Sequence, residues 1–355
     1  MSSLLAKLKK NSRIDSSSTL DESKFFNQGD NSVPTDVPMI NVALSGDLDK
    51  GLTSGLTVLA GPSKHFKTSF ALIMVAAYMR KHPDSIVLFY DSEFGTPQSY
   101  FTSFGIDTER VIHTPITDVE QLKFDIMQQL NGVERNDHLI IVIDSIGNLA
   151  SKKEVDDAIE GKSVGDMSRA KQMKSLFRMI TPHLNLKDIP MVVVNHTYME
   201  IGLYPKAIVG GGTGSYYSSD NIFILGRQQE KDGTEVIGYN FIINVEKSRY
   251  VREKSKIPVT VKFDGGVSTW SGLLDMALES GHVVKPSNGW YARVDSDGVV
   301  EEKKWRIKDT DSKEFWLPLI TKSSFPKWVQ ERYQVGTGDI MNDDSINKEL
   351  AEMVD

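Results

Sequence analysis

Residues 55–81 read GLTVLAGPSKHFKTSFALIMVAAYMRK, a short apolar run ending in glycine, a polar loop, and a long apolar segment halted by His82-Pro83. That order predicts a buried strand, a tight turn and a buried helix. Gly61, Lys67 and Thr68 keep the offsets of a phosphate-binding loop, G-x-x-x-x-G-K-[ST]. Such a loop works because successive backbone N–H groups and a helix N-terminus point at phosphate oxygens. Phe66 stands where the pattern has its second glycine. A side chain held there at positive φ costs about 1–3 kcal/mol unless the loop tilts. No donor is lost, however, because phenylalanine keeps its N–H. The expected nucleotide set is Gly61, Pro62, Ser63, Lys64, His65, Phe66, Lys67, Thr68 and Ser69, with Mg²⁺ on the Thr68 hydroxyl.

The surrounding pattern is that of an α/β protein. SIVLFYDSE (85–93) reads as a strand ending in acids, and HLIIVIDSIGN (138–148) as an apolar strand ending at Asp144. Val119, Leu122, Ile126 and Leu130 mark one face of a helix. Residues 164–184 read as another helix and PMVVVNH (190–196) as another buried strand. Strands alternating with helices imply a mainly parallel sheet covered on both faces. Then 221–228, 239–249 and 257–266 follow one another through links such as Lys231-Asp232-Gly233. They predict antiparallel strands that extend the sheet. A change of composition near Ser271 opens a segment rich in lysine and aromatics, with Trp290, Tyr291, Trp305, Trp316 and Trp328. The expected organisation is an N-terminal oligomerisation arm (1–45), a core (46–270), a small C-terminal α/β domain (271–336) and an acidic tail (337–355). Within the arm, Phe25-Phe26 is an apolar pair among polar residues, suited to the chain's own core or to anchoring a neighbour.

Two strand-end acids suit nucleotide chemistry. Asp144 fits the role of holding Mg²⁺ through water, and Glu93 that of orienting a water on the γ-phosphate. The blander reading is a glycine-lysine turn beside solvated carboxylates. Other chemistries are narrowed by composition. The chain has no cysteine, which excludes disulfides, thiolate zinc sites and cysteine nucleophiles. A net charge of -7 argues against nucleic-acid binding by the whole surface, though not by a local patch. No apolar run approaches a membrane span, and the N-terminus is too polar for a signal peptide, so a cytoplasmic location is expected.

GPSKHFKT, FYDSEFG (89–95), VIDSIGNLASKKE (142–154), VVNH (193–196) and GGGTGSYY (210–217) resemble, in that order, the motifs of RecA-type strand-exchange ATPases. The likeness is greatest to the branch carried by T4-like bacteriophages, whose phosphate loop also reads GPSK-x-FK[ST]. VEKSRYVREKSK, VKFDGG, GLLDMALE and VKPSNGWYAR extend the match, which is densest over 38–293. The resemblance implies a RecA-like ATPase core and a helical homo-oligomeric filament on single-stranded DNA, which pairs that strand with homologous double-stranded DNA. It implies ATP hydrolysed between protomers, a recombination mediator and a single-strand-binding protein as partners, no membrane, and the cytoplasm of a bacterial host. Carried over by position, Lys67 binds phosphate, Thr68 and Asp144 serve the metal, Glu93 activates water, and Tyr100 lies against adenine. Lys247 and Arg249 match two lysines that reach a neighbour's γ-phosphate. His196 replaces a glutamine that senses that phosphate and orders the second DNA loop. Loop 1 with its helix spans about 152–178, with Lys171 and Arg178 as phosphate binders. Loop 2 spans about 197–213, with Met199, Ile201, Gly210, Gly211 and Gly212 on DNA. Without the resemblance, the basic residues of 152–178 read as a solvated helix face, since Asp156, Asp157, Glu160 and Asp166 lie among them. Two other roles stay open: a loading or capping paralogue, and a hexameric helicase with the same core. Hydrolysis of ATP with and without single-stranded DNA separates them.

Overall fold

A computed structural model describes residues 3–25, 31–162, 168–200 and 207–336. Its elements begin with helices α1 (Ser3–Asn11) and α2 (Pro38–Ser45). Strand β1 (Gly55–Ala60) leads into α3 (Lys67–Lys81) and β2 (Ile86–Asp91). A short α4 (Gln98–Ser103), β3 (Val111–Pro115), α5 (Val119–Asn131) and β4 (Leu139–Asp144) follow. Then come α6 (Lys152–Ile159), α7 (Ser168–Lys187) and β5 (Pro190–Asn195). The two short strands β6 (Thr197–Met199) and β7 (Ala207–Val209) form a hairpin of their own, followed by α8 (Thr213–Ser218). The long strands β8 (Asn221–Asp232), β9 (Glu235–Ser248) and β10 (Lys256–Lys262) complete the core with β11 (Gly266–Val267).

Nine strands form one sheet in the order β11-β10-β9-β8-β1-β5-β4-β2-β3. From β8 to β3 every pairing is parallel, and from β8 to β11 every pairing is antiparallel. The central strands are buried on both faces, which is why they read as unbroken apolar runs. Alternate residues still go to opposite sides. Leu59, Phe89, Val142 and Val194 pack with α2 and α3, whereas Val58, Tyr90, Ile143 and Val193 pack with α5 and α7. Strand β3 escaped the sequence reading because VIHTP is half polar; it lies on the sheet edge, where water tolerates that pattern.

The arm does not extend to residue 45. Met39, Ile40, Val42, Ala43 and Leu44 of α2 are buried, and Val33 and Val37 join the same core. The segment looked like linker because of its prolines and polar flanks. Its one polar helical residue before Ser45, Asn41, is satisfied internally: its amide donates to the Thr35 and Leu48 carbonyls at 3.1 and 2.9 Å. Upstream, the Phe25 ring lies under the Arg135 guanidinium of its own chain, 5.0 Å away. Phe26 and the acidic tail fall outside the described residues.

After the core come α9 (Leu273–Glu279), β12 (Val283–Ser287), β13 (Trp290–Arg293), β14 (Trp305–Arg306), α10 (Lys313–Lys322) and α11 (Phe325–Tyr333). The aromatics of this segment form its interior: Phe315, Trp316 and Phe325 are buried against one another. Gln330 at 2.8 Å from Asp47 and Gln334 at 3.2 Å from the Ser45 carbonyl tie α11 to the end of α2.

Candidate nucleotide and nucleic-acid site

The phosphate loop leaves the C-terminal end of β1 and enters α3 at Lys67, as the spacing predicts. Phe66 does take the left-handed conformation, at φ 62°. The loop has not tilted to avoid it. The cost is offset by packing: the ring stacks on Phe241 at 5.0 Å and meets Phe70 edge-on at 5.6 Å. Aromatic pairs of this kind contribute about 0.5–1.5 kcal/mol each beyond area burial. Phe66→Gly should therefore retain ATP affinity, since the N–H is kept. Losing the ring outweighs the relief of strain, so thermal unfolding should report a loss of about 1–2 kcal/mol. Abolished ATP binding would show instead that the ring itself seats the nucleotide.

Lys67 is buried, and its ammonium donates to the Pro62 carbonyl at 2.8 Å. Burial pulls its pKa below the ordinary lysine value, against the opposing pull of Glu93 and Asp144. The Thr68 hydroxyl donates to Asp144 Oδ2 at 2.6 Å. The other oxygen, Oδ1, is buried with no hydrogen-bond partner among the described residues. Burial pushes the Asp144 carboxyl up to about 6. Strand register places Asp144 directly beside Asp91. The Asp91 carboxylate accepts the N–H groups of Glu93 and Phe94 at 2.9 and 2.8 Å, and so shapes the turn that carries Glu93.

Glu93 Oε1 is held by three groups. Ser145 Oγ donates to it at 2.5 Å, Asn148 Nδ2 at 3.2 Å and His196 Nε2 at 2.8 Å. Ser145 and Asn148 were not singled out in the sequence, although both lie in the DSIGN segment that ends β4. The His196 ring approaches Gly147 so closely that a Cβ there would stand 2.4 Å from its Cδ2. Next to these groups, Tyr100 hydrogen-bonds Ser69 from across the start of α3. With Phe66, Ile73, Phe104 and the Gly265-Gly266 turn it lines an open cavity of about 550 Å³.

His196 also begins the hairpin. Fully buried Asn195 accepts the His196 N–H at 2.8 Å and donates to the Gly210 carbonyl at 2.7 Å. The Gly210 N–H in turn donates to the His196 carbonyl at 2.9 Å. One residue at the tip of β5 thus pins both ends of the β6–β7 hairpin, so the described residues of loop 2 include a pair of antiparallel strands. Tyr198 and Met199 are exposed on it, Gly211 and Gly212 follow it, and Ile201 lies outside the described residues. Helix α7 buries Met173, Leu176, Phe177 and Ile180 and exposes Lys171, Lys174 and Arg178. None of these three cations forms an ion pair among the described residues. Lys174, at helical spacing between the two predicted residues, was missed by the sequence reading.

Lys247 and Arg249 are not brought to the phosphate loop. Ser248 pairs with Asn221, and Asn221 with Thr57 near the start of β1, at the end of the sheet opposite Gly61. There Lys247 donates to the Tyr216 carbonyl at 2.7 Å, and Arg249 is paired with Asp220 at 2.7 Å.

Comparison with known proteins agrees with this architecture. The family model of the RecA N-terminal domain matches residues 5–268, and that of the bacteriophage T4 recombination and repair protein, C-terminal domain, matches residues 270–329. The chain is 50% identical over its whole length to the recombination and repair protein of Enterobacteria phage T4, covering 91% of that protein. It is 27% identical to the RecA proteins of Prochlorococcus marinus (strain MIT 9303) and Synechococcus sp. (strain CC9902), each over 73% of this chain and over 66% and 67% of those proteins. With the phosphate loop, the strand-end acids and a nine-stranded sheet of this order in place, the chain belongs to the RecA family.

Proposed function

We propose that the protein is an ATP-dependent recombinase that assembles as a helical filament on single-stranded DNA and pairs it with homologous duplex. The observation that carries this reading is the 2.8 Å bond between Glu93 and His196. It ties the carboxylate suited to activating water to the root of the exposed hairpin suited to DNA. Backbone N–H groups of residues 63–67 and the Lys67 ammonium bind the phosphates, and the cavity beside Tyr100 takes the adenine. Glu93 orients the attacking water and accepts its proton as the γ-phosphorus–oxygen bond to ADP breaks. The α7 stripe of Lys171, Lys174 and Arg178 binds DNA phosphates, and Met199 with the Gly210–Gly212 backbone approaches the strand. Lys247 and Arg249, remote from their own phosphate loop, serve the nucleotide of the next protomer.

The residues present suit a magnesium ion. Asp144 Oδ1 is a buried acceptor without a partner, beside the Thr68 hydroxyl. Both are hard oxygen ligands of the kind Mg²⁺ takes together with phosphates. When bound, the ion neutralises charge on the β- and γ-phosphates.

Turnover should require single-stranded DNA and rise little with duplex alone. Equal rates with and without DNA would return the chain to a loading-subunit or helicase role. The same assay has a pH signature. With Asp144 titrating near 6, protons compete with the cation below that value. Magnesium-dependent nucleotide affinity should be level from pH 7 to 8 and fall toward about tenfold per unit below 6. In cation-free protein the linkage runs the other way. A carboxyl raised by folding contributes stability in acid that is lost as pH rises through 6.

No helix among the described residues is long and apolar enough to cross a membrane. A mediator and a single-strand-binding protein remain proposed partners, as does oligomerisation through the N-terminal arm.

A further inference from the structure

Asp220 is a carboxylate with an unusual set of partners. It immediately precedes β8 and is 3% exposed. Its Oδ2 accepts the Leu56 N–H at 2.8 Å, and its Oδ1 forms an ion pair with Arg249 Nε at 2.7 Å. The backbones are joined as well: Asp220 N–H donates to the Leu56 carbonyl at 2.8 Å, and Arg249 N–H to the Asp220 carbonyl at 3.1 Å. Room for the carboxylate exists only because residue 55 is glycine. A Cβ there would stand 2.0 Å from Oδ2, and φ is 101°. Burying a carboxylate is costly, and burial alone raises its pKa; the Leu56 N–H and the Arg249 charge oppose that rise.

Nε is the guanidinium nitrogen nearest the carboxylate, and no hydrogen bond of the two terminal nitrogens occurs among the described residues. The side chain of Arg249 is 55% exposed while that of Asp220 is 4% exposed, so the anchor is inside and the fork outside. Lys247 lies close enough for Arg249 to lower the pKa of its ammonium, an effect second only to burial. Two cations held together on one face suit an anion placed between them. A lysine at 249 carries no fork, and beside this buried carboxylate its compact ammonium would be drawn inward, away from the exposed face.

We propose that Asp220 is a positioning residue that presents the terminal nitrogens of Arg249 to the phosphates of a nucleotide held by the neighbouring protomer. This rests on the reading of Lys247 and Arg249 as groups acting between protomers, and the experiment separates the two claims. Asp220→Asn keeps an oxygen for the Leu56 N–H and turns an amide nitrogen toward Arg249. Its melting temperature should stay within about 3 °C of the parent. DNA-dependent kcat should fall about tenfold to a hundredfold, with nucleotide affinity of the free protein unchanged. Arg249→Lys, in which Asp220 is untouched, should be nearly as slow. Mixing Asp220→Asn with Glu93→Gln protomers then tests the direction of action. Random head-to-tail assembly of equal amounts leaves about a quarter of the interfaces with both a sound carboxylate at 93 and a sound clamp at 249. Turnover of the mixture well above either parent supports the proposal. A slow Asp220→Asn protein that the mixture does not rescue assigns Asp220 a role within its own protomer and overturns it. Full turnover by Asp220→Asn, with Arg249→Ala inactive, shows that Arg249 needs no anchor and also overturns it. Full turnover by Arg249→Ala removes the reading on which the proposal rests.

Discussion

Glu93→Gln should bind ATP and assemble on DNA yet hydrolyse about a hundredfold to ten-thousandfold more slowly. The substitution preserves shape and removes only the charge that attracts a proton from water. Its surroundings make the outcome interpretable. Asp91 shapes the turn through the backbone N–H groups of residues 93 and 94, which glutamine retains. Ser145 donates a hydroxyl proton to the carboxylate and can donate equally to an amide oxygen. The side chain should therefore stay in position, and the loss should fall on kcat rather than on nucleotide affinity. The measurements are single-turnover hydrolysis on single-stranded DNA and equilibrium binding of ATP. Near-normal turnover would take Glu93 out of the chemistry. Weak ATP binding would make it part of the nucleotide cradle instead.

His196→Ala should keep ATP affinity in the absence of DNA and lose most of the mutual enhancement between ATP and DNA. The histidine has a partner on each side. Its ring donates to Glu93, and its backbone is locked to Asn195 and Gly210 at the root of the hairpin. A rearrangement at the phosphate end therefore reaches the hairpin through one residue. A differential contact of about 1.5–3 kcal/mol is enough to shift affinity by one to two decades, and linkage makes the effect reciprocal. In the alanine variant the factor by which DNA tightens ATP, and ATP tightens DNA, should fall toward one. Because Glu93 also loses a donor, kcat should drop, though less than in Glu93→Gln. Affinities of each ligand with and without the other, for both proteins, decide the matter. Unchanged coupling would make His196 structural and put the relay in Asn195 or α7.

How far these outcomes could be read from the chain alone depends on whether the feature is local. Strand, loop and helix at 55–81 follow from contiguous residues, since apolar runs, a glycine turn and a proline stop are short-range signals. Asp144 at a strand end, the antiparallel run after 221 and the polar face of α7 were legible for the same reason. What stayed hidden depended on residues distant in sequence. Helix α2 belongs to the core only because β9 and β10, far along the chain, bring Phe241, Ile243, Ile257 and Val259 into the same cluster. Whether Phe66 strained its loop or reshaped it was settled by Phe241, a strand residue on β9 that supplies the stacking surface. Glu93 and His196 are 103 residues apart, and they meet because β2, β4 and β5 pair in a register that brings their C-terminal ends together. The pairing of β8 with β1 and β9 carries Lys247 and Arg249 to the far end of β1, beside Asp220. Periodicity and turn chemistry determined which segments form and which of them can hold phosphate. Strand order and register, set by how those segments bury one another, decided which side chains act together.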